Sequence, residues 1–350
     1  MMVCSLSVTV SACNPDDSLK NTENTVPEPE PNPDPTPEPV TGNGLFDLSK
    51  GENGNPPSIR LSSGYDMPII GLGTYSLHGK VCVNAILSAV KHGYRKFDTA
   101  SFYGNEEEVG EAIAKSGVPR NEIFLTTKVW VEHYGYDETR ESVLESMRKL
   151  KTNYIDLVLL HQPFADVYGA WRALEDLYAE GVIKAIGVSN FYPDRLVDIC
   201  SFARIKPMVN QVETHPHNQQ IEAHEWMAKY GVQHEAWAPF GEGIGGMFEE
   251  PVLVEIGKKY GKTSAQVILR WELQRGIVVI PKSVHKERME QNFDVFDFTL
   301  SDDDMKAIAA LDKKQSSFFS HTDPKMVEWF AQMVEERKHN NNHRKEKKNW

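Results

Sequence analysis

The sequence predicts an α/β protein, a closed (β/α)8 TIM barrel with a short N-terminal hairpin cap. Three observations predict it. Short runs rich in Val, Ile and Leu, apolar on both faces, recur about eight times from residue 59 onward. Strands of that kind belong to parallel sheets buried on both sides. Segments of helical length alternate with them, which is the element order of an α/β fold. About eight such units in one uninterrupted stretch, 58–325, favour a closed barrel over an open sheet.

The elements follow in order. A hairpin is expected at 58–70, with Gly64 in its turn, capping the bottom of the barrel. Strands are expected at 69–72, 95–98, 123–127, 155–160, 185–188, 208–211, 232–237 and 277–280. Helices are expected at 81–92, 106–115, 138–150, 170–180, 195–200, 221–229 and 264–274. Asn105 and Asp137 stand as helix starts, and Thr263 opens an approximate capping box with Gln266. Gly93, Gly181, Gly231 and Gly276 each follow a helix, where a left-handed residue ends it.

Chemistry in such a barrel sits at the C-terminal ends of the strands. Strand two ends in Asp98, with Tyr103 shortly after. Strand three ends in Lys128 and strand four in His161. Strands five to eight end in Ser189-Asn190, Asn210-Gln211, Trp237 and Pro281-Lys282-Ser283. Each has a bland alternative: a cap, a surface aromatic, a solvated lysine, a satisfied core histidine. Four such residues in strand-end register form one constellation.

These segments resemble the aldo-keto reductase superfamily. The motifs are GLGTY at 71–75, FDTASFYGNEEEVG at 97–110, TTKVW at 126–130, YIDLVLLHQP at 154–163, GVSNF at 187–191, NQVE at 210–213, EAWAPF at 235–240 and IPKS at 280–283. They fall in family order over residues 59–320. The runs at 166–178 and 315–324 look most like the bacterial branch related to 2,5-diketogluconate reductases. The resemblance implies reversible hydride transfer between a nicotinamide cofactor and a small-molecule aldehyde or ketone. Tyr103 would donate the proton and Lys128 would lower its pKa. Asp98 would hold Lys128, and His161 would orient the carbonyl oxygen. His161 and Trp130 would meet the substrate. Thr74, Ser189, Asn190, Gln211 and Trp237 would hold the nicotinamide end of the cofactor. Lys282, Ser283 and Arg288 match a 2′-phosphate site, which favours NADPH over NADH, and Gln291 and Asn292 match adenine positions. Gln162 stands where Trp is common in the family, and Ala238 where Ser is common. A monomer is the family's usual state.

Other features set rival readings. Gly241, Gly243 and Gly246 spell GxGxxG, but late in the chain and with no helix opening at them, unlike a dinucleotide fingerprint. They read as a loop folding over the cofactor. His215-Pro216-His217 could bind metal in a barrel hydrolase, yet no accompanying ligand set is evident, so no metal is assigned. A barrel that binds cofactor without catalysis is the non-enzyme alternative.

Residues 1–13 end in Val10-Ser11-Ala12-Cys13 and resemble a bacterial lipobox, without the usual basic start. Residues 14–57 read as a Pro- and acid-rich tether, extended and self-repelling. Together they suggest an exported protein anchored in the envelope through Cys13, with a cytoplasmic enzyme as the alternative. No other stretch approaches the about 20 apolar residues of a membrane span. Against 50 Asp and Glu stand 38 Lys and Arg, a net charge of -12. That balance excludes a nucleic-acid groove, which needs clustered cations. Cys82 and Cys200 read as small buried residues. The tail 326–350, with its basic run at 344–348, reads as solvated and frayed.

Overall fold

The computed structural model describes residues 46–48 and 56–348, with side chains through residue 338. The signal segment, nearly all of the tether, and Cys4 and Cys13 lie outside the described residues.

The first elements are β1 (Ser58–Arg60) and β2 (Asp66–Pro68), antiparallel, with Ile59 opposite Met67. The turn between them carries Gly64 at φ 77°, as its position in the motif required. Eight parallel strands follow. They are β3 (Leu72–Gly73), β4 (Lys96–Asp98), β5 (Phe124–Val129), β6 (Ile155–Leu160), β7 (Ile183–Ser189), β8 (Val209–Glu213), β9 (Gln233–Trp237) and β10 (Val278–Val279). They pair in chain order from β3 to β10. Ile70 then bridges Val279, and the Gly71 amide donates to the Val279 carbonyl at 2.9 Å, which closes the ring. The eight strands fall where the apolar runs placed them, with ends shifted by no more than three residues. Every residue of β4, β5, β6 and β8 is buried, the signature of strands covered on both faces.

Helices wrap the barrel. They are α1 (Gly79–Lys91), α2 (Glu106–Lys115), α3 (Tyr136–Leu150), α4 (Val167–Ala179), α5 (Pro193–Phe202), α6 (Ile221–Tyr230), α7 (Pro251–Tyr260) and α8 (Ser264–Gln274). The capping box of Thr263 and Gln266 is present in both directions. Asn105 is a different case. Its side chain makes no cap bond and points inward, donating to the Thr74 and Leu77 carbonyls at 2.8 and 2.9 Å. Asp137 lies inside the first turn of α3 rather than at its cap. Trp171 and Trp271 anchor the helix–sheet layers, almost fully buried, and the Trp171 indole N–H donates to the Ile205 carbonyl at 2.9 Å. A buried indole thus keeps its polar atom satisfied.

Three further helices, like α7 before them, were not expected. They are α9 (Lys286–Phe293), α10 (Asp302–Ala309), opened by a Ser301–Asp304 capping box, and α11 (Pro324–Lys348). The tail read as frayed is therefore helical, because α11 has a partner: Phe330 is buried against the barrel mouth. No helix among the described residues is long and apolar enough to cross a membrane. Cys82 and Cys200 are buried free thiols, and burial pushes them up to about 12 and about 11.

Candidate active site

The C-terminal strand ends meet at one mouth. A cavity of about 610 Å³ opens there, lined among others by Asp98, Tyr103, Trp130, His161, Ser189, Asn190, Gln211, Trp237 and Lys282. One observation explains how a backbone can lie so close to the cavity floor. A Cβ on Gly73 would stand 2.8 Å from the Ile280 carbonyl oxygen, so only glycine lets β3 approach that loop.

The four residues picked out by strand-end register assemble at the floor. Lys128, at the end of β5, is 1% exposed and places its ammonium 2.5 Å from Asp98 Oδ1. It also donates to the Thr99 carbonyl at 3.0 Å and to Tyr103 Oη at 3.4 Å. Tyr103 sits on a short 3-10 turn, Ser101–Tyr103, just after β4. That turn is pinned by Ser101, whose hydroxyl donates to the Lys128 carbonyl at 2.9 Å. The His161 ring lies 5.8 Å from the Tyr103 ring and 4.9 Å from Trp130, edge-on to both.

The electrostatics of this floor differ from the expectation in one respect. Lys128 was expected to lower the Tyr103 phenol. In the structure, burial raises it above its ordinary value, and Lys128 only opposes that effect. Loss of water disfavours the phenolate more than one cation, already engaged by Asp98, can favour it. Burial alone would lower Lys128, but Asp98 and Tyr103 outweigh it and hold the ammonium above its ordinary value. His161 lies well below its ordinary value, first through burial and then through Lys128 nearby. The site at neutral pH is therefore a protonated phenol, a charged ammonium and a neutral imidazole.

Behind Asp98 runs a polar column that the sequence did not reveal. The Gln211 carboxamide nitrogen donates to Asp98 Oδ2 at 2.8 Å and to Glu235 Oε2 at 3.2 Å. Glu235 in turn pairs with Lys96 at 2.6 Å, both 0% exposed, in the barrel centre. Lys96 also lies 3.3 Å from the Met67 sulfur, so the hairpin closes the column from below.

The residues expected to hold a cofactor divide into groups. Ser189 donates to the Gln211 carbonyl at 2.8 Å, and Asn190 donates to the His161 carbonyl at 3.0 Å. Trp237 donates its indole N–H to Asn190 Oδ1 at 2.9 Å, and its ring lies 5.3 Å from Phe318. Gln211 keeps only Oε1 for a ligand. Thr74 is fully buried and donates to the Asp98 carbonyl, so it supports the floor from below. Lys282 reaches the cavity. Ser283 accepts from the His285 amide at 3.1 Å where α9 begins, and Arg288 is exposed on that helix. Asn292 is buried. Gln291 falls elsewhere. It lines a separate surface cleft with Lys91 and His92 at the end of α1.

The two distracting motifs also find their places. Gly241–Gly243 and Met247–Glu249 form 3-10 turns, and no α-helix opens before Pro251. Phe240, Glu242 and Phe248 from this loop line the cavity. His215 bonds Glu213 at 2.9 Å and Ser317 at 3.2 Å, while Ser317 donates its amide to Glu213 at 2.7 Å. That cluster fastens the loop after α10. Among the described residues, no group of three or more His, Cys, Asp or Glu is placed to hold a metal ion.

The model of the aldo/keto reductase family matches residues 69–313. The chain belongs to the aldo/keto reductase family. It is 46% identical over 260 residues to glyoxal reductase of Bacillus subtilis (strain 168), covering 74% of this chain and 94% of the relative. It is 42% identical over 262 residues to methylglyoxal reductase DkgA of Escherichia coli O157:H7, with the same shares covered. Among solved structures, a Bombyx mori aldo-keto reductase in complex with NADP aligns with a TM-score of 0.73 and 33% identity. That alignment covers 76% of this chain and 95% of the other. This aldo/keto reductase is an oxidoreductase that reduces an aldehyde or ketone with NADPH.

Some residues of the cavity escaped the sequence reading. Tyr75 packs 5.0 Å from Tyr103, and Phe102 stacks on Trp130 at 4.1 Å. Both line the cavity. They sit beside named motif residues, but an aromatic in a loop carries no periodicity to mark it. Glu235 lies in a strand, QHEAW, whose polar residues gave no single position away.

Proposed function

We propose that Tyr103 is the proton donor of this reductase, with Lys128, Asp98 and His161 as its partners. The observation that carries the reading is the Tyr103 hydroxyl 3.4 Å from a buried ammonium at the cavity floor. NADPH, when bound, supplies the hydride to the carbonyl carbon. The cavity fits such a cofactor: its rim offers Trp237 as an aromatic face, Ser189, Asn190 and Gln211 as polar groups, and Lys282 as a cation.

This chain's own residues do the rest. The phenol stays protonated at neutral pH, so it can give its proton to the oxygen as negative charge develops there. Lys128 stabilises the phenolate left behind, held in place by Asp98 and the Thr99 carbonyl. The neutral imidazole of His161 donates a hydrogen bond to the same oxygen and fixes its direction. Aromatic walls exclude water, which strengthens each of these interactions. Lys282, just before α9, and Arg288 on it are cations suited to a 2′-phosphate, with the Ser283 hydroxyl as a neutral partner.

The test follows NADPH oxidation by the purified chain against a panel of aldehydes, diketones and keto-sugars, with a chelator present. Methylglyoxal is the reference substrate, after the names of the relatives. Turnover is expected in wild type, and a loss of about 10²–10⁴-fold in Tyr103→Phe, the usual worth of a positioned acid. NADPH binding should survive that change. Normal turnover in the variant removes Tyr103 as donor. No turnover in wild type, with tight NADPH binding, replaces the enzyme by the non-catalytic binding reading.

We also propose that Cys13 carries a lipid anchor, on the strength of the VSAC run and the Pro/acid stretch after it. Labelled palmitate should enter the wild-type chain in cells and not Cys13→Ala. Absence of label from wild type ends the idea.

A further inference from the structure

The C-terminal helix lies beyond the family match, which ends at residue 313. It does reach the active site. Trp329, Phe330 and Met333 of α11 line the mouth cavity, beside Phe318 and Phe319 from the loop before it. Phe330 is 4% exposed and packs 5.9 Å from Trp130, 5.4 Å from Phe164 and 5.7 Å from Phe319.

The helix is also fastened by charge. Arg337 donates to both carboxylate oxygens of Glu132, one at 3.0 Å, and its guanidinium lies 5.1 Å from the Phe102 ring centre. Glu132 sits on the short turn that follows Trp130. Burial would raise its carboxyl, but hydrogen bonds from His133 and Arg337 win and hold it at about 2. The pair is thus ionised across the whole working pH range. One ion pair joins α11 to the loop that carries Trp130, and the same cation covers the ring stacked on Trp130.

The chemistry of the resulting wall is specific. Tyr75, Phe102, Trp130, Trp329 and Phe330 give it broad aromatic faces. The polar groups that share the cavity with this wall include His161, Gln162, His321 and Glu242; among the described residues that line it, the one lysine or arginine is Lys282, which belongs to the proposed phosphate site. Among the described residues, no lysine or arginine lines the substrate side of the cavity to pair with a carboxylate. A two- or three-carbon dicarbonyl would leave most of the apolar surface uncovered. A ring-bearing aldehyde would cover it, in the offset or edge-on geometries that aromatic groups favour.

We propose that α11 is an added substrate wall, fastened by Glu132–Arg337, that directs this reductase toward neutral carbonyl compounds with an aromatic or bulky apolar body. The proposal rests on the reductase reading of the same site. Trp329, half exposed at the rim, would lie over the distal end of such a substrate.

The experiment measures kcat/KM of the full chain with NADPH for 2-naphthaldehyde and for methylglyoxal, and reads their ratio. Wild type is expected to favour naphthaldehyde by about tenfold or more. Arg337→Glu should cut the ratio by about tenfold, and the charge swap Glu132→Arg/Arg337→Glu should recover most of it. Trp329→Ala, a change at an exposed site that threatens no core, should cut the ratio by about threefold or more. A ratio unmoved by both Arg337→Glu and Trp329→Ala overturns the inference, as does a wild type that prefers methylglyoxal. Parallel loss for both aldehydes leaves the ratio unmoved and counts against it in the same way. Failure of wild type to reduce either aldehyde sinks the reductase reading itself, and this inference with it.

Discussion

The polar column in the barrel centre supports a quantitative prediction. Glu235→Gln keeps the volume of the side chain and removes its charge. Lys96 then stands at 0% exposure without its anion, left with a neutral carboxamide, the Met67 sulfur and the Phe124 ring 4.9 Å away. Removing one partner of a buried pair costs about 3–5 kcal/mol, because the other charge stays buried. Large single domains lose about 2 °C of Tm per kcal/mol, so the melt should fall by about 6–10 °C. The new carboxamide also faces the Gln211 carboxamide nitrogen, which loses an anionic acceptor at 3.2 Å. The assay is thermal unfolding followed by circular dichroism, with urea unfolding as a check. Replacing both partners, Lys96→Met with Glu235→Leu, should recover most of the loss, since no lone charge remains. A single variant melting within about 1 °C of wild type would refute the reasoning. So would a double variant as unstable as the single one.

The pH dependence of reduction follows from the site. The His161 imidazole lies well below 6.5 and the Tyr103 phenol above 10, so neither changes protonation between those values. Profiles of kcat and kcat/KM should be flat from about pH 6.5 to the ordinary phenol value near 10. Activity should fall only on the alkaline side of that value, where the phenol loses the proton it must donate. A clear break near neutral pH would show that one assignment is wrong. Arg288→Ala should weaken NADPH binding by about tenfold or more and NADH binding by less than about twofold, the loss of one charged phosphate contact. Fluorescence titration of both cofactors checks this, and equal losses would remove the 2′-phosphate role.

The barrel was legible because its strands are buried on both faces, which writes each one as a short apolar run between helices. The site was legible for a related reason. A polar residue such as Lys128 or His161, standing at the end of such a run, points into the mouth once the barrel closes. Helices α9 and α10 were harder to see. The first, KERMEQNF, buries only Met289 and Asn292, so it shows no apolar stripe. The second opens with a Ser301–Asp304 capping box that is written in the sequence but was not read there.

The sequence by itself determined the closed barrel, the strand-end register and the four residues at the floor, because these follow from local pattern and chain order. Tertiary structure decided the rest. Gln211 and Asp98 are far apart in sequence yet hydrogen-bonded, and Glu235 meets Lys96 from across the barrel. Burial, which no single residue type reveals, set the phenol above its ordinary value despite the adjacent ammonium. The tail that composition marked as solvated became a helix over the mouth, because Phe330 and Arg337 found partners near residues 102–132. Local pattern records which face a segment will bury; only the folded chain shows what that face meets.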